Sequence, residues 1–266
     1  NKIKNIFFVI ILLVFYYPVF GQVENSSKES PYAVNPGFYL EVANYKSTET
    51  AKTKVDIFLQ IPYHTLKFIK DGESYKSKFS ISIIFADEDK KTIFAEKLWN
   101  QEVKAANADE YLSKENFKYF YTSFNLAPGK YSLRCEIIDK GSNKNGLTEA
   151  NINVSDFNDK LNLSDIILVK GMVDNQIVPN VSRLIAGSDS TFTFFYDIFS
   201  DTSKSVLINY SVLDKKQDEI FNTKDTLKIN KDKNRIFKTL KNIKLALGEY
   251  VLVVKISDSK GEVTKS

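Results

Sequence analysis

Apolar side chains recur at every second position through most of this chain. Val55, Ile57, Leu59 and Ile61 fall on one face of an extended segment, with Asp56, Phe58 and Gln60 on the other. Phe79, Ile81, Ile83 and Phe85 repeat the pattern, as do Phe192, Phe194, Tyr196 and Ile198. A period of two predicts strands over 38–45, 55–61, 66–69, 79–85, 93–99, 119–126, 131–139 and 147–154. It predicts a second set over 164–169, 191–199, 206–213, 219–229, 235–245 and 250–258. Residues 103–112 offer the one helical alternative; their apolar spacing is poor, and they read as a crossover between sheets. The chain is therefore all-β.

One strand occurs twice. LAPGKYSLRCEIID at 126–139 returns as LALGEYVLVVKISD at 245–258. In each, Leu-Ala enters a tight turn with glycine at its second central position, Gly129 or Gly248, as the positive φ of a type II turn requires. Two residues later a tyrosine opens the strand: Tyr131 with Leu133, Tyr250 with Leu252. A glycine turn followed by a tyrosine and an alternating strand resembles the tyrosine corner of immunoglobulin-like and fibronectin-like sandwiches. Gly129, Tyr131, Leu133, Gly248, Tyr250 and Leu252 are thus assigned structural roles. The fold class that follows is two tandem β-sandwiches, at 37–155 and 164–266, joined by a polar linker at 156–163.

Lys2 and Lys4 precede an apolar run over 6–17, then Pro18 and Val19-Phe20-Gly21, the pattern of a secretory signal peptide over 1–21. The run is shorter than a membrane-spanning helix, so no such helix is expected after cleavage. Polar residues 22–36 read as a flexible tether. The address is therefore beyond the inner membrane: periplasm, outer membrane surface or extracellular. The formal charge of +4 falls to +2 without Lys2 and Lys4, and no basic stripe exists, which argues against nucleic acid. A single cysteine, Cys135, permits no internal disulfide and reads as a small buried apolar residue.

Catalytic chemistry finds little to stand on. The single histidine, His64, lies in a Pro-Tyr-His-Thr turn without triad or zinc partners in sequence, and no phosphate loop or Gly-x-Ser-x-Gly elbow occurs. Asp87-Glu88-Asp89 and the pair Asp197 and Asp201 have a spacing that suits calcium, but Lys90 and Lys91 follow the first cluster directly and favour a charged hairpin tip. No residue is nominated as catalytic, cofactor-binding or metal-binding, and no cofactor is expected.

The segment VDIFLQIPYHTLKFIKDGESYKSKFSISIIF over 55–85, with Glu96-Lys-Leu-Trp99, Leu126-Ala-Pro-Gly-Lys-Tyr131 and Leu163-Ser-Asp-Ile-Ile167, resembles the N-terminal part of bacterial GWxTD domain-containing proteins, exported proteins typical of the Bacteroidota. The Gly-Trp-x-Thr-Asp signature itself is absent, Trp99 being the only tryptophan. In that family the signature region lies C-terminal to the sandwiches. The resemblance implies export and a tandem β-sandwich, and it carries no catalytic residue onto this chain.

The reading that follows is a non-catalytic exported envelope protein whose sandwiches serve as interaction or spacer modules, with a protein or another envelope component as partner. Two alternatives remain at this stage: the stalk of an enzyme whose catalytic domain lies further along, and a carbohydrate-binding module. The sequence starts at Asn1 and has only Glu-Val-Thr-Lys-Ser after Gly261, so it reads as a fragment lacking the last strand of its second sandwich. A sheet without an edge strand exposes unpaired backbone beside its core. Residues 164–266 expressed alone are accordingly expected to denature at a lower urea concentration than residues 37–155, and equal midpoints would contradict this.

Overall fold

In the computed structural model the described residues are 37–173, 176–185, 189–258 and 261–266. The first half runs β1 (Tyr39–Lys46), β2 (Thr53–Pro62), β3 (Ile69–Asp71), β4 (Ser74–Ala86), β5 (Ile93–Ala105), a short helix α1 (Ala108–Leu112), β6 (Phe117–Leu126), β7 (Gly129–Asp139) and β8 (Asn145–Val154). One sheet has the order β1-β2-β6, and the other joins β4, β7 and β8 with β5 on the free side of β4. Every pairing is antiparallel. The odd residues of β2 meet the odd residues of β4 and β7 in a core that includes Ile57, Leu59, Phe79, Ile83, Leu133 and Ile137, each at most 1% exposed.

The second half repeats this plan with β9 (Leu161–Leu163), β10 (Ile167–Val173), β11 (Gln176–Pro179), β12 (Asp189–Ser200), β13 (Lys204–Leu213), β14 (Glu219–Ile229), β15 (Asp232–Lys244), β16 (Val251–Ser257) and β17 (Glu262–Lys265). Its sheets are β11-β10-β12-β15, with β9 also on β12, and β14-β13-β16-β17. Strands β2, β4, β5, β6, β7 and β8 correspond in order and pairing to β12, β13, β14, β15, β16 and β17. The first half sets a three-stranded sheet against a five-stranded one and the second a five-stranded sheet against a four-stranded one, both as antiparallel sandwiches of the immunoglobulin and fibronectin kind. Its core holds two hydroxyls, on Tyr196 and Tyr210, which satisfy one another at 2.7 Å. Burial, aided by the charge of Asp225, pushes the Tyr210 phenol up to about 12.

Several elements differ from the alternation-based expectations. Strand β5 continues through Val103 and Ala105, both buried, so the crossover is confined to residues 106–116, which hold α1, capped by the Asn107 side chain on the Glu110 amide at 2.9 Å. Leu66 and Phe68 are buried without joining a strand; β3 starts at Ile69, after a 3₁₀ turn at Tyr63–Thr65. The expected linker is seated on the second sandwich: Phe157 is 5% exposed, with its ring edge-on to Phe199, and Leu161–Leu163 pairs with β12. The last strand, expected to be missing, is present as β17 over four residues, where β8 has ten. The outermost strand β5 carries Glu96, Lys97, Glu102 and Lys104, and β14 carries Lys224, Asp225 and Lys228; charges of this kind discourage edge-to-edge pairing.

Both corners close by the same bond. The Tyr131 hydroxyl donates to the Ala127 carbonyl at 2.8 Å, and Tyr250 donates to Ala246 at 3.0 Å. Tyr131 is 6% exposed beneath the edge of Phe94, whereas Tyr250 is half-buried. The glycines depart from the type II expectation. Gly129 has φ +155°, because it already pairs with Val154 as the first residue of β7, and Gly248 has no left-handed φ at all. The two strand-ending aspartates serve as turn caps: Asp139 accepts from the Lys67 and Gly141 amides at 2.6 and 2.8 Å, and Asp258 accepts from the Gly261 amide at 3.0 Å.

These glycines give unequal expectations. A Cβ at either position meets only ordinary contacts with the following tyrosine ring, at 3.7–3.8 Å, so backbone conformation decides the outcome. Gly129→Ala should lower stability by about 1–3 kcal/mol, since L-residues rarely adopt its φ. Gly248→Ala should be neutral or stabilising by up to about 1 kcal/mol. Urea denaturation of the two variants checks this, and equal losses would overturn it.

Candidate functional site

The outward faces of the β1-β2-β6 sheet and of the sheet built on β12 differ from an ordinary solvated sheet face. On β2 this face carries Lys54, Asp56, Phe58 and Gln60; β1 sets Glu41, Ala43 and Tyr45 beside them, and β6 adds Tyr121, Ser123 and Asn125. Asp56 and Gln60 are nevertheless 5% and 2% exposed. The second sandwich presents Phe195, Asp197 and Phe199 of β12 beside Arg235 and Lys233 of β15. The two faces meet. Ala43, Tyr45, Ile167 and Phe195 form a small core of their own, flanked by Phe58, Val169 and Ile177.

Each charge taken into this contact has an opposite. Arg183, in the β11–β12 connection, grips Glu41 with two nitrogens, Nε reaching Oε2 at 2.6 Å. Burial raises the Glu41 pKa against the pull of Arg183. Asp197 is fully buried and takes Arg235 in bidentate fashion at 2.8 and 2.9 Å, with Lys233 at 3.0 Å. Asp165 accepts from the backbone and side-chain nitrogens of Asn44 at 2.8 and 2.6 Å and from Lys265 at 2.8 Å. Lys54 and the Tyr121 hydroxyl both lie 3.0 Å from Asp56, whose pKa is raised by burial. Burial, then the charge of Asp56, also lifts the Tyr45 phenol well above its usual range.

Beyond this contact the faces part into a groove of about 490 Å³. Lys46, Lys54, Ser123 and Asn125 line it from the first sandwich, and Phe199, Asp232 and Lys233 from the second. The Asn125 amide is held in place by Ser47 at 3.0 Å and Glu49 at 2.5 Å. A smaller cleft, about 310 Å³, lies among Tyr39, Pro62, His64, Lys114 and Phe117. His64 Nδ1 is buried there without a hydrogen-bond partner among the described residues.

None of the residues singled out from sequence lines the groove. Gly129, Tyr131 and Leu133 belong to β7 and Leu252 to β16, in the opposite sheets, and Gly248 and Tyr250 lie in the turn that leads into β16. Cys135 is fully buried, and burial, with the charge of Glu136, lifts its thiol far above the reactive range. Asp87 accepts from the Lys91 and Thr92 amides and so closes its own hairpin. Asp197, read as a calcium candidate, is already neutralised by Arg235 and Lys233. No group of three or more metal-ligating side chains occurs among the described residues. Among the same residues no helix is long and apolar enough to cross a membrane. The signal at 1–21 and the tether at 22–36 lie outside the described residues.

The groove residues were missed because they sit at the polar positions of amphipathic strands, where solvent is the default neighbour. The one available signal was Phe58, an aromatic among the polar positions of β2, which packs at the contact with its ring centroid 5.4 Å from that of Tyr121.

No protein-family model matches the sequence, and none of the curated proteins does. Similar solved structures include a glycosyl hydrolase family 2 member from Bacteroides cellulosilyticus, 9% identical over 79% of this chain and 26% of that one, with a TM-score of 0.33. Another is dimeric latent PorU from Porphyromonas gingivalis, 11% identical over 86% of this chain and 20% of that one, TM-score 0.31. A third is a bacterial adhesin from Mobiluncus mulieris, 8% identical over 84% of this chain and 80% of that one, TM-score 0.20. The chain thus spans about a quarter of the first and a fifth of the second.

Arg183→Ala would leave the Glu41 carboxylate buried without its cation. The expected loss is ~2 kcal/mol in urea denaturation, and Glu41→Met added to it should restore most of that loss. In the single variant the Glu41 pKa rises further above its unfolded value, so the native state binds the proton more tightly. The deficit should therefore shrink as pH falls through that raised pKa. A deficit independent of pH would assign Arg183 a role other than neutralising Glu41.

Proposed function

We propose that this chain is a non-catalytic exported protein of the bacterial envelope, in which two β-sandwiches act together as a rigid spacer and interaction unit for a protein or envelope partner. The contact between the β1-β2-β6 sheet and the sheet built on β12 carries this reading. An independent bead on a string leaves its outer sheet face in water. Here Asp56, Gln60, Glu41 and Asp197 are buried on that face; Asp56 and Asp197 have cations from their own sandwiches, whereas Glu41 relies on Arg183 across the contact, Asn44 donates across it to Asp165, and both sandwiches build the apolar cluster around Tyr45. A fixed pair transmits position; a hinged pair does not. Export rests on the basic-then-apolar pattern over 1–21, and the non-catalytic assignment on the use of the sequence's acidic candidates in caps and ion pairs, as at Asp87, Asp139 and Asp197.

Electron-spin distance measurement tests the rigid unit. Asp89→Cys and Lys215→Cys place spin labels on exposed tips, one on each sandwich, 75% and 82% exposed, while the buried Cys135 stays unlabelled. A single narrow distance distribution is expected, and a broad or bimodal one would overturn the spacer reading. Turnover of ester, glycoside or peptide substrates by the purified chain would overturn the non-catalytic assignment.

A further inference from the structure

Strand β5 is the outermost strand of its sheet: it pairs with β4 along one edge, and among the described residues no strand pairs with the other. Its side chains alternate, Glu96, Leu98, Asn100, Glu102 and Lys104 exposed on the outward face, Val103 and Ala105 turned into the core. Charges on an open edge turn most incoming strands away. Two of the four here are already engaged. Lys97 donates to the Thr122 hydroxyl and the Ser123 carbonyl, each at 2.8 Å, and Glu102 meets Lys78 at 3.6 Å. Glu96 and Lys104 make no ion pair among the described residues, and they stand on one face, four positions to either side of Asn100. We propose that a second copy of this chain pairs with β5 edge to edge, antiparallel about a twofold axis through Asn100, so that Glu96 of each copy lies opposite Lys104 of the other.

Geometry and charge together select this register. A twofold axis normal to the sheet keeps outward side chains opposite outward side chains, so the axis must pass through a residue and not between two. An axis at Trp99 sets Glu96 against Glu102, and one at Gln101 sets Leu98 against Lys104. Only the axis at Asn100 brings opposite charges face to face, and it does so twice. Cross-strand pairs of this kind favour one partner over others, and a strand of any other sequence would leave Glu96 and Lys104 unmatched. Leu98, 74% exposed, gains cover from the facing strand. Strand β5 belongs to the sheet turned away from the second sandwich, so the pairing does not draw on the contact between the halves.

Sedimentation velocity of the purified chain over rising concentration tests this. One pair of strands is a small interface, so the expected result is a reversible dimer whose fraction grows with concentration. Lys104→Glu sets like charges opposite one another at two places and should weaken the dimer by about tenfold. Adding Glu96→Lys reverses both pairs and should return the affinity to within about threefold of the original. Lys216→Glu, on a distant turn, changes net charge as much as Lys104→Glu and should leave the dimer intact. A monomer at every concentration, equal weakening by Lys104→Glu and Lys216→Glu, or no recovery in the double variant would each overturn the proposal.

Discussion

The structure depends on burying charge against charge between two sheet faces that would otherwise be wet. A carboxylate moved into a protein interior costs several kcal/mol unless a cation and hydrogen-bond donors accompany it. Asp197 meets that condition within its own sandwich, through Arg235 and Lys233, and is therefore neutralised before the halves meet. Glu41 meets it only across the contact, through Arg183, whereas Asp165 has Lys265 from its own sandwich and adds donors from Asn44 across the contact. The interface is consequently specific rather than adhesive: a small apolar cluster supplies contact area, and cross-domain donors set the register.

The two sandwiches have drifted apart around the same plan. In the first, β8 pairs along nearly the whole of β7 and Tyr131 lies covered. In the second, β17 pairs with β16 from Val254 to Ser257, and Tyr250 is half-buried. The second sandwich also carries the β10–β11 hairpin, which puts Val169 and Ile177 onto the contact, and the connection bearing Arg183. The additions peculiar to the second copy thus lie where it meets the first.

The sequence was most readable where burial and alternation coincide. The odd positions of β2, β4 and β7 announce their strands, and the repeated glycine-tyrosine strand announces the duplication. Residues 100–105 were harder, because the polar Gln101 occupies an inward position of the alternation, ahead of Val103 and Ala105, which still reach the core. The groove was not legible at all. Lys54 and Lys233 are 179 residues apart in sequence and look like any solvated strand lysine; what gathers them is the stacking of two sheets, a property that periodicity within one strand does not encode.

The seated connection between the halves has a consequence of its own. Thr53 of the first sandwich hydrogen-bonds the Ser155 carbonyl, Phe157 inserts beside Phe199, and Leu161–Leu163 completes an edge of the second sheet. The peptide joining the halves is therefore itself a piece of both. A protease would find little slack there to engage, and recombination that shuffled one half into another gene would tear a strip from the half left behind. Parting the two halves would therefore cost the second its Phe157 contact and the edge pairing of Leu161–Leu163.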